Sequence, residues 1–161
     1  MLATKLNPEE KQLYAYYLRL LKTKDYSENE LKTKGKAKGY SNSVISNVLN
    51  LLKQQNLVND HRLAENLLEN YKSQKGIVWL RQKMRQRQIP LEIIEQVLEN
   101  HSWQPNISAL KQLLTKKYQL TNWQDSSQID PQTKRKIINF LASKGYPNPY
   151  ELWQQIFDNQ S

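Results

Sequence analysis

A repeat of forty-nine residues constrains this 161-residue chain more than any other feature of its sequence. Seven apolar residues recur at that distance: Ala15, Leu18, Leu31, Tyr40, Ile45, Val48 and Leu49 are followed by Ala64, Leu67, Leu80, Ile89, Ile94, Val97 and Leu98. A period of this length is typical of helical repeat proteins, in which each unit buries its apolar face against its neighbours. We therefore predict two related modules, over about residues 13–56 and 62–103.

A third, diverged copy follows if about a dozen residues are inserted between its first two helices. Its apolar positions keep the same order: Ala109, Ile137, Leu141, Tyr146, Leu152 and Ile156. The insertion is rich in turn-forming residues: Asn122, Asp125, Ser126, Ser127 and Asp130. The predicted modules therefore span residues 1–57, 58–105 and 106–161.

Each module has the spacing of three helices. In the first module, one helix is predicted at about 9–23, capped by Asn7 with Pro8 at its first position, and another at about 41–55. The middle helix opens with Ser27 and Glu30 in capping-box spacing, and Gly39 would end it. With four glycines and six prolines, the chain has too few turn residues for a many-stranded β protein. We predict an all-α fold, an elongated and curved array of three tandem three-helix repeats.

The sequence offers no catalytic or metal-binding motif. There is no cysteine, His61 and His101 lack the spacing of metal ligands, and no glycine-rich phosphate loop occurs. The chain has no N-terminal apolar leader and no apolar run near the ~20 residues that cross a bilayer. We therefore expect a soluble, cytoplasmic, monomeric protein that binds a partner, without enzymatic activity or a cofactor. Large tryptophans near the module junctions, Trp103, Trp123 and Trp153, are expected to pack.

Lysine and arginine recur in register on the second helices of the first two modules. Lys32, Lys34, Lys36 and Lys38 correspond to Arg81, Lys83, Arg85 and Arg87, and the chain carries a net charge of +9. On a helix these residues form two i,i+4 columns. Either they are a solvated face whose stems cover apolar surface, or they bind phosphate or carboxylate groups.

The acid-free stretch 72–88 adds Lys72 and Lys75 to these candidates. Trp79 either lies exposed beside the columns, where it could stack on a base or enter a partner, or closes the core between modules. Module three keeps only Lys144 of the register, and its other basic residues lie earlier: Lys116, Lys117, Lys134, Arg135 and Lys136. A binding strip would therefore lie mainly on the first two modules.

Several segments resemble signatures of the RecX family. The stretch from Leu57 to Ala64 resembles the segment that opens the second repeat of that family. Further similar segments are Ser27–Leu31, Lys75-Gly76 followed by Leu80, and Phe140–Tyr146. The resemblance spans about residues 13–157 and reproduces an organisation of three tandem three-helix repeats. The departures are Gly35 at a seam position, Gln88 where the other modules have glycine, and Asp25-Tyr26 in place of an arginine.

The resemblance implies a regulator of the RecA recombinase. RecX proteins bind RecA and its filament on single-stranded DNA, and typically restrain filament growth, ATP hydrolysis and strand exchange. The basic register would then face acidic protein surface or nearby DNA. Two alternatives stay open: a DNA-binding helical-repeat protein without a recombinase partner, and a protein–protein scaffold whose basic faces only confer solubility.

Overall fold

The computed structural model describes residues 5–101, 103–120 and 126–158, and over these stretches the chain is helical without strands. The α-helices are α1 (Pro8–Leu21), α2 (Glu28–Ala37), α3 (Asn42–Gln54), α4 (Asp60–Tyr71), α5 (Ile77–Gln86), α6 (Leu91–Asn100), α7 (Ile107–Lys117), α8 (Pro131–Ser143) and α9 (Pro149–Trp153). A 3₁₀ turn at Ser126–Gln128 precedes α8, and a π-helical turn at Gln154–Asp158 follows α9. The predicted all-α class is confirmed.

Two compact units make up the molecule. The first comprises Met1–Leu67 and Lys83–Asn100, and the second comprises Leu68–Gln82 and His101–Ser161. The boundaries fall inside α4 and α5, so each of these helices contributes to both units. The division into three modules with the predicted bounds stays a prediction.

Local side-chain caps define the helix starts in the first unit. The Asn7 side chain accepts a hydrogen bond from the Glu10 amide, with Pro8 beginning α1. Ser27 and Glu30 form the predicted capping box at the start of α2, and the Ser41 hydroxyl caps α3. These bonds satisfy amides that have no partner within the helix.

The core of the first three helices is made by one apolar face of each. Its fully buried side chains include Leu13, Tyr17, Leu31, Ile45, Val48, Leu49 and Leu52. The Tyr17 hydroxyl donates to the carbonyl oxygen of Leu31 at 2.6 Å, which satisfies a polar atom in this apolar setting.

Burial corrects the register of the repeat in its first helix. A shift of forty-nine pairs Ala15 with Ala64, but Ala15 is exposed and Ala64 is fully buried. The buried pairs are instead Leu13 with Leu63 and Tyr17 with Leu67, a shift of fifty. The connection before α5 (residues 72–76) is one residue shorter than the connection before α2 (residues 22–27). From α5 onwards, equivalent positions of the two modules are therefore forty-nine residues apart again.

The second unit has its own apolar core. It contains Leu110, Leu114, Ile137, Ile138, Leu141, Tyr146, Leu152, Trp153, Ile156 and Phe157. Trp153 is buried and Trp103 packs against the cluster, which confirms the expectation for both. Trp123, together with Asn122 and Asp125 of the predicted insertion, lies outside the described residues.

One C-terminal motif ends α2, α5 and α8. Gly39, Gln88 and Gly145 all adopt positive φ, at 90°, 57° and 92°. The amide of each following residue then bonds back to the helix: Tyr40 to Gly35, Ile89 to Met84 and Tyr146 to Leu141. The prediction for Gly39 is confirmed, and Gln88 adopts the same conformation although a side chain makes it less favourable there.

None of the helices in the described stretches is both long and apolar enough to span a bilayer.

Candidate partner-binding surface

The α2 lysines differ in how far they are engaged by neighbouring groups. Lys32 pairs with Glu28 at 3.6 Å, and the Lys34 ammonium lies 5.7 Å from the centre of the Tyr26 ring. Lys38, which caps the end of α2, lies 4.6 Å from the centre of the Tyr16 ring. Lys36 is exposed. Such weak surface contacts leave ammonium groups accessible to an anionic partner.

On α5, the four cations of the register have different environments. Arg85 is exposed, whereas Arg81 and Lys83 are half-buried. Arg87 follows the last helical residue and is also half-buried. The identical spacing in sequence therefore does not give four equivalent surface charges.

Arg87 is held by an ion pair within the first unit. Its Nε lies 3.1 Å from Glu30 Oε2, and the two side chains are only 18% and 15% exposed. Its terminal nitrogen also donates to the carbonyl oxygen of Asp25 at 2.7 Å. Since Glu30 is also the capping-box residue of α2, the guanidinium fixes the end of α5 to the start of α2. Arg87 is thus a structural residue as well as a member of the predicted strip.

Trp79 lies half-buried within the second unit. Its ring centre is 4.8 Å from that of Tyr71, and the Lys75 ammonium lies 4.9 Å from the Trp79 ring. Lys72 is exposed and pairs with Glu69 at 2.9 Å. The aromatic pair is therefore partly exposed, with the Lys75 ammonium beside the Trp79 ring.

Two Lys-Gly pairs that are far apart in sequence meet in the second unit. The Gly76 amide donates to the carbonyl oxygen of Lys144 at 2.8 Å, and the Val78 amide donates to that of Gly145 at 3.0 Å. A Cβ on Gly76 would collide with the Gly145 backbone, and one on Gly145 would collide with Trp79. Both glycines are needed because the two backbones approach so closely.

The same approach brings two ammonium groups together. Partial burial and the charge of Lys144 lower the pKa of the Lys75 ammonium. Lys75 is a candidate on sequence grounds, but its association with Lys144 is not, because no local spacing connects the two.

The segment that opens α4 has a structural role. The Asn59 side chain accepts from the Arg62 amide at 3.0 Å and so caps α4. Asp60 accepts from the Glu28 amide at 3.0 Å, and Arg62 donates to the carbonyl oxygen of Asn56 at 2.7 Å. Burial raises the pKa of the Asp60 carboxyl, although the Glu28 amide opposes the shift. This segment joins α4 to the first turn of α2.

A group of lysines in the second unit was not predicted from the sequence. Lys116, Lys117 and Lys144 line one cleft together with Lys75. Residues 107–120 contain no acidic residue, which is the one signal that the sequence offered. The convergence itself depends on how α7 and α8 pack.

Tandem three-helix units with cationic second helices define a basic helical-repeat protein. Comparison with protein families is more specific. Residues 14–52 match the first three-helix domain of RecX, and residues 59–98 match its second three-helix domain. The chain belongs to the RecX family, as the sequence resemblance indicated.

Relatives align over most of the chain. "Regulatory protein RecX" of Haemophilus influenzae (strain 86-028NP) is 33% identical over 153 residues, covering 92% of this chain and 95% of the relative. The protein of the same name from Chromohalobacter salexigens is 30% identical over 131 residues, covering 80% and 81%.

Solved structures share the fold. A crystal structure of RecX from Lactobacillus salivarius superposes with a TM-score of 0.76 at 20% identity, covering 94% of this chain and 98% of the other. A crystal structure of regulatory protein RecX gives a TM-score of 0.73 at 21% identity, covering 94% and 74%.

Proposed function

We propose that this protein is a regulator that binds the RecA recombinase and RecA filaments on single-stranded DNA. It restrains filament growth, ATP hydrolysis and strand exchange in recombination and DNA repair. It acts in the cytoplasm as a monomer, without catalytic activity of its own. DNA is contacted directly or through the filament.

The observation that carries this proposal is membership of the RecX family over most of the chain, with relatives named as regulatory proteins. The basic register supports a polyanionic partner. On and at the ends of α2 and α5 it presents accessible cations, of which Lys36, Lys38 and Arg85 are exposed. Such groups attract a negatively charged partner and make the association depend on salt.

The structure indicates which cations to vary. Arg87 is held by Glu30, so its removal would disturb the first unit as well as any binding surface. Lys83 and Arg85 on α5, and Lys36 and Lys38 on α2, are better targets, because changes there leave the Glu30 pair in place.

The test measures ATP hydrolysis by RecA on single-stranded DNA, with and without stoichiometric protein, at about 50 and about 200 mM salt. We expect the protein to lower the rate, and more strongly at the lower salt concentration. The variants Lys83→Glu/Arg85→Glu and Lys36→Glu/Lys38→Glu should require about tenfold more protein for the same effect, since several charge–charge contacts are reversed.

Arg135→Glu/Lys136→Glu is the matched control. It reverses two exposed charges on α8, outside the register, and should retain activity. Circular dichroism checks that all variants keep their helicity.

The outcomes separate the alternatives. No effect of the wild-type protein on RecA would refute the proposal. Tight DNA binding with an unchanged RecA reaction would favour a DNA-binding protein without a recombinase partner. An effect on RecA that the register variants leave unchanged would make these lysines and arginines a solvated face.

A further inference from the structure

A lysine-lined cleft in the second unit lies apart from the predicted strip on α2 and α5. Its volume is about 830 Å³, and three segments line it: the turn after α4, one face of α7 along its length and the end of α8. The hydrogen bonds of Gly76 and Val78 to the carbonyl oxygens of Lys144 and Gly145 hold the first and third segments together. Part of the cleft wall is therefore fixed by backbone contacts.

Four lysines line this cleft, and none of the described residues lining it is acidic. They are Lys75, Lys116, Lys117 and Lys144. Lys116 and Lys117 lie in the last turn of α7, and Lys144 caps α8, so each also opposes the negative end of a helix dipole. Two helix ends supply about −0.5 charge each, which leaves roughly three positive charges uncompensated.

Burial lowers the pKa of the Lys75 ammonium, and repulsion from the neighbouring Lys144 charge lowers it further. An anion bound between them would relieve this repulsion. The fold has brought like charges together from three distant parts of the chain, which goes beyond what capping of two helices requires.

Phe140 gives the cleft an aromatic surface. The Lys117 and Lys144 ammonium groups lie 5.0 and 5.4 Å from its ring centre, and the ring makes an edge contact with Tyr118. In the repeat register Phe140 occupies the position held by Lys34 and Lys83 in the other modules. Aromatic rings beside a cationic groove are the usual means of binding single-stranded nucleic acid without sequence preference.

The described lining contains lysines and no arginine, and lysine attracts phosphate and carboxylate groups alike as a point charge. The aromatic ring of Phe140 is the feature that favours nucleic acid, because every base can stack on such a ring. An acidic peptide is therefore the less favoured occupant.

We propose that this cleft binds the phosphodiester backbone of single-stranded nucleic acid through Lys116, Lys117 and Lys144, with a base stacked on Phe140. The inference deepens the proposed function by adding a direct DNA contact. It is tested without RecA, so either can fail while the other holds.

The probe is a fluorescein-labelled oligothymidylate of about fifteen nucleotides, a length in the range that single-strand binding sites cover. Fluorescence anisotropy measures its affinity for the full chain as a function of salt concentration. Lys116→Gln/Lys117→Gln should lower affinity about tenfold and reduce the salt slope by about 1.4, since two phosphate contacts are lost.

Arg135→Gln/Lys136→Gln removes the same charge from exposed positions on α8 outside the cleft. It should lower affinity less than about threefold. An equal loss in both double variants would overturn the proposal, because net charge alone would then explain the binding.

Phe140 is tested separately from charge. Phe140→Leu should weaken binding about fivefold or more with an unchanged salt slope, whereas Phe140→Tyr keeps the ring and should bind as the wild type does. If Phe140→Leu loses helicity, the tyrosine variant and the lysine pairs still decide the question.

Two further results would contradict the proposal. One is failure of the wild-type protein to bind the oligothymidylate at about 50 mM salt. The other is binding of a labelled polyglutamate peptide that Lys116→Gln/Lys117→Gln abolishes, while the oligonucleotide affinity stays unchanged. The second result would assign the cleft to an acidic protein segment.

Discussion

Gly35 is buried in the middle of α2, at a position where helix propensity alone would favour alanine. The reason for glycine lies in its neighbours. A Cβ at this position would collide with the Tyr17 hydroxyl and would lie 3.0 Å from Ile45 Cγ1. The departure from the family pattern at Gly35 is thus explained by the large Tyr17 ring, which takes up space that a seam side chain fills in the other modules.

We expect Gly35→Ala to lower the free energy of unfolding by about 1–3 kcal/mol, because the added methyl group overpacks the core. Urea denaturation followed by circular dichroism measures the change. In a Tyr17→Phe background the same substitution should cost less, since the hydroxyl that it meets is gone. A gain of about 1 kcal/mol, as propensity alone predicts, would show that the close approach is wrong.

Arg87 and Arg85 are two residues apart in sequence but differ in environment. Arg87 makes two hydrogen bonds to Glu30 and one to the Asp25 carbonyl oxygen. Arg85 is exposed. The first contributes to stability, and the second is available to a partner.

Arg87→Met should therefore destabilise the protein by about 2 kcal/mol, since hydrogen bonds to a charged group are lost and Glu30 keeps its charge. Arg85→Met is the matched control, with an expected change within about 0.5 kcal/mol. Both values come from urea denaturation at neutral pH. Equal effects would place Arg87 in solvent and remove its structural role.

At the scale of helices, the same short motifs recur at the ends of elements. Side-chain caps begin α1, α2, α3, α7 and α8 through Asn7, Ser27, Ser41, Asn106 and Asp130. Such caps are readable in the sequence because donor and acceptor are three residues apart. The positive φ of Gln88 at the end of α5 was harder to predict, because it follows from the position after the helix and not from the residue type.

The contact between α2 and α4 depends on a carboxyl group whose burial opposes ionisation. The Asp60 carboxylate accepts a hydrogen bond from the Glu28 amide. Burial raises the pKa of Asp60, and the negative charges of Glu28 and Glu30 raise it further. With a folded pKa above the unfolded value, this group favours folding most at pH below its unfolded pKa. That contribution is lost as pH rises through the folded pKa.

Asp60→Asn keeps an acceptor for the Glu28 amide and removes the charge. We expect its stability relative to wild type to be higher at pH 7 than at pH 3, measured by urea denaturation at both values. Asp60→Ala, the control that also removes the acceptor, should show the same pH dependence relative to wild type and be less stable than Asp60→Asn by about 1 kcal/mol at either pH. A difference between Asp60→Asn and wild type that does not change with pH would contradict this account of the raised pKa.

Across the whole molecule, the net charge of +9 is not evenly available. Lys32 and Lys53 pair with Glu28, Lys72 pairs with Glu69, and Arg87 is held by Glu30. Other cations gather where acidic residues are scarce: in the C-terminal half of α2, on α5 and around the cleft of the second unit. Salt dependence of binding should follow these groups more than the total charge, because paired charges release fewer counterions.

The sequence by itself determined the helical class, the capped starts of the first two helices, the repeat of two three-helix modules and the family. All of these depend on neighbours in the chain or on the period of apolar residues, so their physical causes lie within one turn or one module. The one-residue shift of the repeat register in the first helix was not predicted, because Ala15 and Leu13 both fit an apolar pattern and only packing distinguishes them.

Only the tertiary structure decided which of the charged residues are engaged and which lie together. Arg87 and Glu30 are fifty-seven residues apart, and Lys75 and Lys144 are further apart still. Local spacing in the sequence does not specify these contacts. They depend on how the helices pack and on the close approach of the two backbones at Gly76 and Gly145. The basic register was visible in the sequence, but the cleft that is lined by four lysines and Phe140 exists only once α7 and α8 have packed in the second unit.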